Sequence, residues 1–271
     1  MKRLKYILIL ILSITFNTAQ AQKPNLKIFE FEISGFSGLF GISGSIPNGS
    51  IKPGVGYQFS VDGKYYFSSN WRIGVGVGYS SYLSNAKLDN YSLNSPAIDD
   101  LGDNFEFRVT ASGINEKLKM SAIEVPVFLE YLRKMSDKLS LSGNFGLKTS
   151  FPVSANFQCT EGTIETRGYY QQYEVEFSNI PNHGFEKIDN INYKGDLTTK
   201  LAFSLFTGFG VTIPAGKMKV NAGVYGSFGL NSVLQKKNTP LISYLGSYNT
   251  ITSLSEKSAL VGGGIKIGVL F

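Results

Sequence analysis

Between positions 139 and 153 the odd-numbered residues are Leu139, Leu141, Gly143, Phe145, Leu147, Thr149, Phe151 and Val153. The even ones are Ser140, Ser142, Asn144, Gly146, Lys148, Ser150 and Pro152. Side chains of an extended strand point alternately to its two faces, so this order makes one face oily and the other polar or small. The same period of two runs through 29–41, 55–67, 71–83, 123–131, 201–213, 218–230 and 259–271. Eight strands are predicted. Their connections also alternate. Short turns fall at 68–70, 132–138 and 214–217, and longer segments follow 41, 83, 153 and 230. An even number of antiparallel strands with tight turns on one side and long loops on the other is an up-and-down barrel, with both chain ends on the short-turn side.

Sorting the residues by face decides what surrounds such a barrel. Glu30, Glu32, Asp62, Lys64, Arg72, Glu124, Glu130, Lys148, Lys200, Lys219 and Lys266 share one face, and the opposite face of the eight segments has no Asp, Glu, Lys or Arg. A water-soluble barrel would need an apolar core. The charged face instead carries Gly74, Gly76, Gly78, Gly208, Gly210, Gly262, Gly264 and Gly268, beside Phe36, Phe40, Tyr66, Tyr82, Phe206 and Tyr225. Small residues interleaved with large ones suit a narrow, filled interior. A charge aimed at a bilayer midplane costs about 2–4 kcal/mol, so a whole face without one is what lipid demands.

Aromatic residues mark the borders of that face. Tyr65, Phe67, Trp71 and Tyr131 fall at the short-turn ends and Tyr57, Tyr79 and Phe151 nearer the long loops, while Phe271 stands last in the chain. Two interfacial girdles have this arrangement. Backbone groups in hydrocarbon must be paired within the protein, which a closed sheet achieves. Pro126 lacks a donor, so a bulge or a missing ladder bond is expected there. The fold expected is all-β: an eight-stranded antiparallel up-and-down transmembrane β-barrel with long extracellular loops, occupying 22–271.

Residues 1–21 read as an export signal. Lys2, Arg3 and Lys5 precede an apolar run from Tyr6 to Phe16, and Ala19-Gln20-Ala21 is a small-x-small cleavage site before Gln22. The run is too short to span a bilayer, which takes about 20 residues. The signal holds three of the 26 basic residues and none of the 20 acidic ones, so 23 against 20 leaves +3 where the whole chain has +6. Charged residues are 17% of the chain, which argues against a disordered tail, a coiled coil or a nucleic-acid binder. One Cys and one His exclude an internal disulfide and a multi-His or Cys-rich metal site, and no cofactor is indicated.

The stretch Ala122-Ile-Glu-Val-Pro-Val-Phe-Leu-Glu-Tyr131 resembles a strand of the small outer-membrane β-barrel family of Bacteroidota envelopes, sometimes called PorT-like. The signal, the Gly-aromatic strands, the turn at 68–71 and the terminal Phe271 agree with it. The resemblance implies the outer membrane of a Gram-negative bacterium. It also implies contact with outer-membrane lipid and lipopolysaccharide, and delivery by the barrel-insertion machinery. Val269 and Phe271 fit the apolar slots of the terminal signal that machinery reads, although Lys266 stands where glycine is usual. Lys117 and Lys119, at the outer end of their strand, are placed to meet lipid-A phosphates.

Chemistry beyond this is sparse. The eleven inward charges read as a structural network, with a proton or ion path as the sharper alternative. The lone His183 sits in the segment 154–196 with Cys159, Glu186 and Asp189, and no nucleophile motif accompanies it. Asp89, Asp99, Asp100 and Asp103 lie in the segment 89–104, read as a solvated acidic loop because the spacing misses that of a calcium loop. Residues 105–112 alternate again and read as an extramembrane hairpin turned at 113–115. Tyr169, Tyr170, Tyr173 and Phe177 suggest an ordered aromatic patch. The function expected is a structural, binding or assembly role carried by the outer loops. An accessory barrel of a secretion machinery is the alternative, and a small envelope enzyme ranks third.

Overall fold

The computed structural model describes residues 29–271 apart from 237, 238, 245 and 247, so the export signal read at 1–21 lies outside the described residues. Twelve strands form one antiparallel sheet: β1 (Phe29–Ile46), β2 (Gly49–Pro53), β3 (Val55–Tyr66), β4 (Trp71–Ile98), β5 (Asn104–Ser136), β6 (Leu139–Tyr170), β7 (Val175–Phe177), β8 (Lys187–Asp189), β9 (Tyr193–Asp196), β10 (Ala202–Ala215), β11 (Met218–Gly229) and β12 (Lys257–Leu270). The long ladders run β1–β3–β4–β5–β6–β10–β11–β12, and β12 pairs back on β1 from Glu32↔Leu270 to Ser45↔Lys257. Eight strands thus satisfy one another's backbone groups in a ring. β2 continues the line of β3 beyond Gly54, between β1 and β4, and β7, β8 and β9 pair with the far half of β6.

The alternation written in the sequence is the alternation of exposure. Phe31, Phe59, Val75, Leu129, Phe145, Phe209, Val224 and Ile267 face outward, while Glu32, Ser60, Glu130, Lys148, Ser204 and Asn221 are buried on the opposite face. Gly74 makes room for a large neighbour, since a Cβ there would run into the Phe128 ring.

Three strands go well past the predicted limits. β4, β5 and β6 have 28, 33 and 32 residues, and their pairing climbs far beyond the apolar belt. The hairpin expected at 105–112 is a correction: β5 is continuous from Asn104, and Gly113 is a bulge with φ +64° where the register to β6 shifts. A bulge adds one residue, which switches the face that alternate side chains point to. Hence Ile114 and Leu118 are buried on even positions, but Phe107 and Val109 on odd ones. The acidic loop expected at 89–104 is also corrected. Residues up to Ile98 belong to β4, and Asp99 organises the turn to β5 by accepting the N–H groups of Leu101 and Asp103 at 2.9 Å each.

Pro126 marks a gap in the wall. The β4–β5 pairs stop at Val75↔Val127 and resume at Gly78↔Glu124 in unchanged register, so two rungs are missing without an inserted residue. The bulge lies elsewhere, on the β6 side between Ser121 and Ala122.

Above the belt the two faces exchange character. Inside the ring at belt height the buried groups are charged, whereas higher up they are apolar, among them Ile42, Leu88, Ile114, Leu118 and Phe157. Val233, Leu241, Ile242 and Ile251, from the segment joining β11 to β12, are buried against them. The tall end thus has its own apolar core, on a sheet that lower down is apolar outside and charged inside.

Candidate functional site in the lumen and outer cap

The predicted interior charges come together on facing strands. Lys219 holds Glu30 at 2.5 Å, Glu30 holds Arg72 at 2.6 Å, Arg72 holds Glu130 at 2.7 Å and Glu130 holds Lys64 at 2.8 Å. Lys64 also pairs with Glu32, which meets Lys266 at 2.9 Å. Seven residues of alternating sign therefore form one unbroken chain. Glu30, Glu32, Lys64, Arg72 and Glu130 have side chains no more than 3% exposed, while Lys219 at the lower mouth is 43% exposed. Asp62 lies beside this chain and accepts the Ser60 hydroxyl at 2.9 Å.

A second cluster sits higher. Lys148 pairs with Glu124 at 3.0 Å and donates to Tyr225 Oη at 3.0 Å, and Glu124 accepts hydroxyls from Ser80, Tyr82 and Ser150. Around it the rings of Phe36, Phe40, Tyr82 and Phe206 pack on one another and on Tyr225, with the Phe36 and Tyr225 centroids 5.0 Å apart. Buried charges persist when partnered and hydrogen-bonded, and here five acids stand among five bases. Lys200 is the exception among the eleven. It is exposed, and its backbone N–H bonds to Val233 O at 2.8 Å. It precedes the first residue of β10, so strand alternation does not govern its side chain.

On the outside Tyr57, Phe67, Trp71, Tyr79, Tyr131, Phe151 and Phe271 are all exposed, and Tyr65 is half-buried. Trp71 and Tyr131 pack with ring centroids 5.0 Å apart. Between the two girdles Phe59, Val61, Val75, Leu129, Phe145 and Leu147 are exposed as well.

The outer cap contains one group that the sequence did not single out. Glu116, on β5 above the belt, is 1% exposed and accepts hydrogen bonds from Ile251 N (2.9 Å), Thr250 Oγ1 (2.6 Å) and Tyr193 Oη (3.1 Å). It ties the short 3-10 turn Ile251–Leu254 and strand β9 to the inner wall. Burial pushes its carboxyl up to about 7. The signal was present, because Glu116 continues the even-numbered inward set of Ala122, Met120 and Leu118.

The remaining candidates lie apart. His183 is exposed in the turn Pro181–His183, whereas Cys159 is buried on β6 with its thiol donating to Glu161 O at 3.3 Å; no hydrogen bond joins them among the described residues. Tyr170 packs on Phe105, Phe177 and Tyr173 and donates to Asp99 at 2.9 Å, which makes the aromatic patch part of the hairpin's own packing.

Residues 19–235 match the family model described as "Outer membrane protein beta-barrel domain". The chain belongs to that family. Membership places it in the outer membrane as an integral β-barrel protein. The match ends before β12, the strand whose pairing with β1 completes the ring. A solved structure, the outer membrane protein OprG from Pseudomonas aeruginosa, aligns over 90% of this chain and 95% of its own at 11% identity and a TM-score of 0.38. No curated protein matches the sequence.

Proposed function

We propose that this outer-membrane protein is an eight-stranded transmembrane barrel, sealed across its lumen, whose work is a structural, binding or assembly role carried by the ordered outer cap. The observation that carries the reading is the charge chain from Lys219 to Lys266 across the ring, with the aromatic layer stacked above it. A narrow barrel filled in this way has no continuous water column, which argues for a scaffold and against a general pore or an ion path. The spanning part comprises roughly residues 29–40, 55–67, 71–82, 121–132, 139–153 and 202–214, with 218–229 and 261–271 completing it. The outer cap comprises what lies beyond on β4, β5 and β6 together with the described residues between β11 and β12.

The strand at 122–131 supports a PorT-like member of the family, and the leader at 1–21 supports export with cleavage before Gln22, leaving 22–271 as the barrel. The insertion machinery would meet the terminal strand. An exposed His183 remote from the buried Cys159 supports a non-catalytic role. Two measurements test the proposal. Unboiled protein is expected to run faster than boiled protein on a detergent gel, and planar bilayers containing it are expected to show no stable conductance step. Identical migration overturns the closed barrel, and a steady open channel overturns the sealed lumen.

A further inference from the structure

Just above the apolar belt, one sector of the outward face is covered with lysines. The row Lys52↔Asn85, Asn85↔Lys117, Lys117↔Gln158 and Gln158↔Lys194 crosses β2, β4, β5, β6 and β9 in strict register. Lys119 stands one side-chain step nearer the belt, opposite Leu83, and Lys87 one step farther out, opposite Asn115. All five lysines are exposed, and none pairs with an acid among the described residues. Three acids share the outward face here: Asp196, opposite Asn156; Asp89, two residues beyond Lys87 on β4; and Glu161, which already accepts the Asn115 amide at 2.6 Å. The sector keeps a surplus of positive charge.

Its height on the wall selects the occupant. Directly below it come Leu83, Val55 and Val153, then Tyr79, Ile123 and Phe151, all exposed and all part of the belt. Adjacent strands are about 4.8 Å apart, so the lysines of the row stand about 10 Å apart on alternate strands, with amide side chains between them. Whatever covers this sector is continuous with the acyl chains that cover the belt, which makes it a lipid headgroup. A lysine cluster with interleaved amide donors fits phosphate.

We propose that Lys52, Lys87, Lys117, Lys119 and Lys194 form a binding site for the phosphorylated headgroup of an outer-leaflet glycolipid. The inference rests on the transmembrane reading and names the lipid chemistry that this flank of the barrel recognises. The fold supplies the reason for the site's position. β4, β5 and β6 continue as ordered wall above the belt with β2 and β9 paired along their flanks, so cross-strand rows hold lysines there at fixed spacing.

The test uses the full-length protein in detergent micelles, with bisphosphorylated lipid A and the same lipid stripped of both phosphates as probes. Retention is read by native mass spectrometry. The intact protein is expected to hold the bisphosphorylated form at least about tenfold more tightly, with the preference falling as salt rises. The triple variant Lys52→Gln, Lys117→Gln, Lys194→Gln is expected to lose most of that preference. A control with Lys138→Gln and Lys217→Gln, at the opposite end, is expected to keep it. Equal retention of both lipids by the intact protein overturns the site, as does an unchanged preference in a triple variant that still migrates as a folded barrel. The gel shift of the intact protein separates the two failures: its absence sinks the barrel, whereas its presence without a phosphate preference sinks only the lysine site. The comparison of two lipids on the intact protein does not depend on any variant folding.

Discussion

Glu130 is the residue on which the lower network turns. One of its oxygens serves both Arg72 Nε and Lys64 Nζ, and all three side chains are nearly excluded from solvent. Removing one partner from a buried pair leaves an uncompensated charge, which costs about 3–5 kcal/mol. Glu130→Gln is therefore expected to lower the unfolding free energy by that amount in urea titrations from lipid vesicles, followed by fluorescence of the single Trp71. The exposed pair of Glu106 and Arg108 provides the contrast, with side chains 39% and 34% exposed. Glu106→Gln is expected to cost less than about 1 kcal/mol. Glu116 yields a pH dependence. A released carboxyl has its ordinary value of 4.5 and the seated one about 7, so between those values the seated state binds more protons. Seating of the segment 249–255 on the inner wall, which Glu116 holds through Thr250 and Ile251, is thus favoured at pH 5, weakens as the pH rises to 7 and levels off above it. Amide exchange across that segment, corrected for intrinsic rates, is expected to be about tenfold or more slower at pH 5 than at pH 8. Glu116→Gln is expected to flatten the difference; an equally steep profile in that variant assigns the effect to another group.

The strands show where a sequence declares its structure and where it does not. Within the belt, lipid on one side and packed charge on the other make each residue's face obvious, so β3, β10 and β11 begin and end within a residue or two of where the alternation does. Beyond the belt the constraint changes. The outward residues of β4 run Leu83, Asn85 and Lys87, and the inward ones Tyr82, Ser84, Ala86 and Leu88. Water now lies outside and a small core inside, so the oily parity reverses while the strand goes on. The bulge at Gly113 in β5 and the shift opposite Ser121 and Ala122 then move the parity by a residue. A reader following one oily face sees the strand stop. The candidate site divides the same way: the ion-pair chain was legible because charges are conspicuous on a glycine-rich face, but Lys52, Lys87 and Lys194 become neighbours only through cross-strand register, which no local pattern encodes. Lys200 misled for a related reason, since alternation holds only inside a strand.

At the scale of the whole molecule the wall is lopsided. β4, β5 and β6 rise above the belt together, while β3, β10, β11 and β12 stay near it with 12 to 14 residues each. From the connection between β11 and β12, Val233, Leu241 and Ile251 are fully buried in the core on the tall side. Such a shape has a direction, because the tall side and its cap must face one compartment and the tight turns at 68–70, 137–138 and 216–217 the other. A barrel threaded from the periplasm passes short turns inside and carries long ordered extensions outside. The native chain is suited to a direct test, since its one cysteine, Cys159, has no exposed surface. Asp100→Cys sits in the turn at the far tip of the β4–β5 hairpin, beside the 90%-exposed Leu101, and Ser69→Cys sits in the turn between β3 and β4. On intact cells a membrane-impermeant maleimide is expected to label Asp100→Cys and spare Ser69→Cys, with both labelled after lysis. Labelling of Ser69→Cys alone would invert the barrel and put the lysine sector against the inner leaflet, and labelling of both on intact cells would remove the membrane from between the two ends.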